Sequence, residues 1–250
     1  MDKKTWEQFS GIKKKYCNEI QKMHKKLPYL QALQQKLVDG RSSSYKIETP
    51  VVYNSSLDDI NPESEIKLIL VADNPGRREQ AAENRRYLVG PSGKIAGNFF
   101  KNNPSLGIDF QKNVIILNKT PVHSPRTIEL RELCRIGDSS LETELAESQK
   151  FMARLLLEFH MAFTDSGKKS GLPVWIIGYS EMKRGGLFET YTNELKIIYS
   201  ETSLKDSVFL FRHFSMNQFT IDLKQQAAKG ETVKKTLERI GTAYRKRFLW

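Results

Sequence analysis

The chain has 250 residues, 39% of them hydrophobic and 28% charged, which is enough apolar content to bury a full core and excludes a disordered chain of low hydrophobicity. No apolar run approaches a membrane span, and Met1-Asp2-Lys3-Lys4 leads into polar sequence instead of a secretory core, so a cytoplasmic protein is expected, nucleoid-associated in a bacterium or nuclear in a eukaryote. A formal net charge of +11 attracts polyanions and makes nucleic acid the leading class of partner, while two cysteines, Cys17 and Cys134, are too few for a disulfide framework or a metal cluster.

From Asp2 to about Asp39, Trp6, Phe9, Ile12, Tyr16, Ile20 and Met23 recur at helical spacing, followed after the breaker Pro28 by Leu30, Leu33 and Leu37. Two amphipathic helices are expected. Lys13, Lys14, Lys15, Lys22, Lys25 and Lys26 lie on their polar faces, as a solvated surface or a track for phosphates. Residues 1–45 are read as a basic helical extension packing on a core domain of residues 46–250, with a turn or linker at Gly40-Arg41-Ser42-Ser43-Ser44. Four short apolar runs follow, at Ile66 to Ala72, Val114 to Leu117, Val174 to Ile177 and Val208 to Phe211, each of the kind a strand buried on both faces requires. Helix-length stretches separate them, one marked by Leu141, Leu145, Met152, Leu155, Leu156 and Phe159, another by Leu187, Tyr191, Leu195 and Ile198. Alternation of this kind predicts an α/β fold, a three-layer α/β/α sandwich around a four-stranded parallel sheet. Asn217 to Trp250 reads as helical, with a break at Gly230.

In an open parallel sheet, ligands bind beyond the carboxyl ends of the strands. Those ends read Asp73-Asn74-Pro75-Gly76, Asn118-Lys119-Thr120-Pro121, Gly178-Tyr179-Ser180 and Arg212-His213-Phe214-Ser215. Three of the four finish in a side chain able to orient water or hydrogen bond a heterocycle: Asp73 or Asn74, Asn118 and His213.

Ala72-Asp73-Asn74-Pro75-Gly76 resembles the first motif of the uracil-DNA glycosylase superfamily, Leu117-Asn118 its second strand ending, and His213-Phe214-Ser215 its His-Pro-Ser motif. Tyr87-Leu88-Val89-Gly90-Pro91-Ser92-Gly93 is similar to the Pro-Phe-Val-Gly segment of the thermophile-type branch. The resemblance runs from about Ile66 to Gln218, in the same motif order. Three departures stand out: Ala72 for glycine, Leu88 for the base-stacking phenylalanine and Phe214 for proline. The four cluster cysteines of the thermophile type are missing, so no iron-sulfur centre, metal or other cofactor is expected. Gly76 follows Pro75 as in the mismatch-specific branch, which implies room for thymine or a modified base.

The resemblance implies a monofunctional hydrolase that removes uracil or a related deaminated base from duplex or single-stranded DNA, acting as a monomer. Asp73, ranked ahead of Asn74, would aim water at the sugar carbon, and His213 would stabilise the departing base. Asn118 would read the base edge, with Leu88 and Tyr87 lining its pocket. Ser92, Lys119 and Ser215 would meet the DNA backbone, with Met216 or Asn217 wedging into the vacated stack. Plainer readings exist. Asp73-Asn74-Pro75-Gly76 is also turn chemistry, Asn118 also a cap, and His213 also a core histidine. His24 and His160 fall within helical patterns, His123 lies in a loop near the site, and Phe99 and Phe100 read as core. A catalytically silent nucleic-acid-binding module is the alternative from a second class. A small α/β esterase or nucleotide enzyme is a third, but no Gly-x-Ser-x-Gly elbow or dinucleotide fingerprint supports it, and Gly90-Pro91-Ser92-Gly93-Lys94 continues into Ile95, unlike a phosphate-binding loop.

Overall fold

Two helices open the chain where the apolar periodicity places them. The computed structural model describes residues 1–41, 44–164 and 171–250, so residues 42 and 43 of the expected turn lie outside it. Helix α1 (Lys3–Lys26) is capped by Asp2, whose side chain accepts from the Thr5 amide at 2.7 Å, and it ends just before Pro28. Helix α2 (Leu30–Asp39) follows. Phe9, Tyr16, Ile20 and Met23 of α1 enter the same apolar cluster as strand residues Ile69 and Val71. Several α1 lysines are already neutralised: Lys13 pairs with Asp58, Lys15 with Glu158 and Lys26 with Glu144.

The remaining elements alternate as the apolar runs require: β1 (Leu68–Ala72), α3 (Pro91–Asn102), β2 (Val114–Asn118), α4 (Glu129–Ile136), α5 (Ser139–Phe163), β3 (Val174–Ile177), α6 (Glu189–Tyr199), β4 (Val208–Phe211), α7 (Gln218–Gln226) and α8 (Val233–Phe248). All strand pairs are parallel and the sheet order is β2-β1-β3-β4. Ile69, Val71, Ile115 and Leu117 face a layer containing α1, α5 and α6. Leu68, Leu70, Val114, Ile116, Trp175 and Phe211 face α3, α7 and α8. The result is a three-layer α/β/α sandwich. When the chain reverses direction after β2, its crossover helix also changes face, as a single handedness of crossover demands. Gly230, at φ +78°, separates α7 from α8. Along α8, Gly241 brings the backbone onto edge strand β4, since a Cβ there would lie 2.6 Å from that of Phe209. Among the described residues, no helix is long and apolar enough to cross a membrane.

The strand order places the topological switch between β1 and β3, because β2 lies on one side of β1 and β3 and β4 on the other. The crevice outside these two strand ends therefore collects the ends of β1 and β3 and receives the loops from β2 and β4.

Candidate active site

Asp73 leaves β1 at the switch point. Its partner is Lys119, the residue following β2, whose side chain is wholly buried. The Lys119 ammonium donates to Asp73 Oδ1 at 2.5 Å and to the Ile177 carbonyl at the end of β3 at 2.6 Å, with the Phe188 ring centroid 5.0 Å away. Burial holds this ammonium below the ordinary lysine range, and Asp73 pulls it back up. On the other side stands Gly178, at φ +78°: a Cβ there would lie 2.7 Å from Asp73 Oδ1, so only glycine leaves the carboxylate its place.

Asn118 ends β2 in register with Ala72. The residue is buried, and its amide nitrogen has no hydrogen-bond partner among the described residues. His213 follows β4. Its Nδ1 accepts from the Ser215 backbone N–H at 3.0 Å and lies 2.8 Å from the Ser215 hydroxyl. Acceptance at Nδ1 fixes the proton of the neutral ring on Nε2. Burial lowers the pKa of His213 below its ordinary value, the Asp73 charge raises it and the Lys119 charge lowers it, so all three groups share one electrostatic neighbourhood.

The other expected site residues are placed differently. Asn74 donates to the Ser124 hydroxyl at 2.9 Å and holds the loops after β1 and β2 together. His123 joins the same loops: its Nδ1 meets the Pro75 carbonyl at 2.8 Å, its Nε2 the Tyr45 hydroxyl at 3.1 Å, and burial lowers its pKa to about 4. Tyr87 is a core residue whose hydroxyl bonds the Val52 carbonyl and the Tyr16 hydroxyl, not an open platform for a base. Leu88 is buried at φ +53°, in a turn that needs Gly93, whose Cβ would fall on the Leu88 carbonyl. Lys119 has no surface from which to meet a phosphate, and Ser215 orients His213. Ser92 lies partly exposed in the first turn of α3, which begins at Pro91. Met216 is 76% exposed, and with Asn217 it forms two successive left-handed residues, at φ +53° and +56°. His24 bonds the Val51 carbonyl and His160 bonds Tyr199 and Ser207, both as packing groups.

Glu79 was not singled out in the sequence, although it stands three residues after Gly76. Its carboxylate accepts from the Gly76 amide at 2.7 Å and faces the Leu88, Val89 and Gly90 amides, tying two turns of the site together. Burial raises its pKa to about 7 against those donors. Two cavities open elsewhere. One of about 510 Å³ adjoins Tyr45, Arg77, Arg78 and Asn84, and one of about 270 Å³ lies at the opposite strand ends against Leu68, Trp175 and Phe209. Neither has Asp73, Asn118 or His213 in its wall. Comparison with models of known protein families and with curated proteins finds no match for this chain, so its chemistry is read from the site itself.

Proposed function

We propose that this site cleaves the N-glycosidic bond of a uracil-like base extruded from DNA, in the manner of the uracil-DNA glycosylase superfamily. The observations that support the reading are a buried Asn118 amide nitrogen without a protein partner at the end of β2 and, in the field of Asp73, a histidine presenting Nε2–H. An amide offers one donor and one acceptor, the pattern that a uracil edge complements. As the bond breaks, negative charge grows on the base and positive charge on the sugar. Neutral His213 donates to the base oxygen, and Asp73 orients water and offsets the cation. Phe214, where the resembled motif has proline, adopts φ −67°, a value proline also takes, while its ring packs 4.5 Å from that of Phe219.

The rim fits a polyanion. Exposed Arg77 and Arg78 follow β1, Arg126 follows β2, Lys183 and Arg184 follow β3, and Arg212 follows β4. Exposed Met216 is the wedge, and the base enters as the strained Leu88 and Met216-Asn217 turns shift.

The test is release of base from labelled oligonucleotides carrying uracil opposite guanine, with hypoxanthine and thymine mismatches alongside. Alkali-labile breaks are expected, reduced on the order of 100-fold or more in Asp73→Ala, Asn118→Ala and His213→Ala. No break above buffer on any of these substrates would sink the reading. The closed crevice, occupied by the Lys119 side chain, favours a second reading, a binding module without turnover. Salt-sensitive DNA binding with no base release selects it.

A further inference from the structure

The Lys119 ammonium is a buried charged group at the crevice with no part in the chemistry above. A buried cation adds little net stability over an apolar side chain of the same size, so its presence calls for another reason. Its contacts supply one. The backbone N–H of Lys119 donates to the carbonyls of Ala72 and Asp73 at 2.9 and 3.0 Å, which fixes the root of the side chain to β1. From there the chain crosses the end of β1 and reaches the last carbonyl of β3. Of the ammonium's donors, one goes to Ile177 and one to Asp73 Oδ1, and the Phe188 ring covers the group. Among the described residues the third N–H has no oxygen partner, but no atom of the side chain is exposed from which it could meet a substrate. Asp73 is held from both sides, by Lys119 and by the missing Cβ of Gly178. Among the described residues, no protein donor reaches its second oxygen, Oδ2, and the side chain keeps 13% of its surface open.

We infer that Lys119 is a positioning residue, which clamps Oδ1 of Asp73 to the end of β3 and so presents Oδ2 to a water molecule. This rests on the glycosylase reading for its chemistry but not for its geometry. A second consequence is electrostatic. The charges that act on His213 are those of Asp73 and Lys119, with opposite signs, while neighbouring Arg212 faces Asp222 at 3.9 Å. Lys119 thus keeps the Asp73 charge from drawing a proton onto the imidazole, which must stay neutral to donate from Nε2.

The experiment is imidazole titration of His213 by NMR in the DNA-free protein, paired with single-turnover base release and DNA affinity. In Lys119→Met the His213 midpoint moves up, in Asp73→Asn it moves down, and in the double variant it returns towards wild type. Base release by Lys119→Met at neutral pH falls about 100-fold, as for a misplaced reacting group, with DNA affinity unchanged. If Lys119→Met fails to fold, the difference between Asp73→Asn and the double variant isolates the same Lys119 effect. A His213 midpoint that ignores Lys119 overturns the inference. So does a borohydride-trapped covalent adduct of Lys119 with substrate, which would make it a nucleophile. Absence of base release in the wild type defeats the glycosylase reading alone, and the titrations still decide the clamp.

Discussion

Gly178 carries two constraints at one residue, a left-handed backbone and the space beside the Asp73 carboxylate, and they can be separated. Gly185 has nearly the same backbone, at φ +72°, but nothing within 4 Å of where its Cβ would be. Gly185→Ala is therefore expected to cost only the left-handed penalty, about 1–2 kcal/mol. Gly178→Ala adds a clash with a held carboxylate and is expected to cost about 3 kcal/mol in urea unfolding and to abolish base release. Equal costs for the two variants, or full activity in Gly178→Ala, would show that Asp73 is not wedged there. The residue scale is also where sequence reading stops soonest. Asp73, Asn118 and His213 were legible because each lies within two residues of the end of an apolar run. The direction of Lys119 was not, since its side chain is aimed by a carbonyl 58 positions away.

Among the elements, the turn after β4 stores strain that the helices and strands do not. Met216 and Asn217 both sit in the left-handed region between Phe214 and α7, and Met216 projects an apolar side chain into solvent. A left-handed non-glycine residue costs about 1–2 kcal/mol, and a glycine there gives back about 0.5–1 kcal/mol in unfolded-chain entropy. Met216→Gly should thus leave stability within about 1 kcal/mol of wild type. Activity should fall more on duplex than on single-stranded DNA, because only the duplex needs its stack held open. A uniform loss on both substrates would remove Met216 from that role. The strands themselves were legible for a simple reason: every residue of β1, β2 and β3 is buried, so apart from Asn118 at the end of β2 their sequences are unbroken apolar runs. The turns were less so. Tyr87 and Leu88 look like site residues in sequence, but Tyr16, arriving from α1, draws the Tyr87 hydroxyl into the core.

For the molecule as a whole, the buried titratable groups set a pH dependence whose sign can be worked out. His123 and His160 each titrate at about 4 when folded, against 6.5 for a free histidine. As pH falls from 6.5 towards 4, the unfolded chain takes up protons that the folded chain refuses, and stability is lost. Glu79 acts in the opposite sense: its folded pKa of about 7 lies above the ordinary 4.5, so it adds stability as pH falls between those values. Each group is worth about 3 kcal/mol, and the two histidines, joined in the same sense by His213, whose pKa burial also lowers, outweigh one glutamate. Urea unfolding at pH 7 and pH 4.5 should show a net loss of about 3 kcal/mol at the lower pH, lessened in His160→Gln. An unchanged or higher midpoint at pH 4.5 would contradict this balance.

At this scale the amino-acid sequence by itself determined the number of strands, their parallel arrangement, the layering of helices and the basic charge, because burial on both faces and helical amphipathicity are written in local patterns. Only the tertiary structure decided which strand lies beside which, and hence that the topological switch falls between β1 and β3. It also decided that Lys119 crosses that crevice and that Asn74 turns away to Ser124. The physical reason is that a buried polar group must find its partner wherever the packed chain brings one, and such partners are distant in sequence.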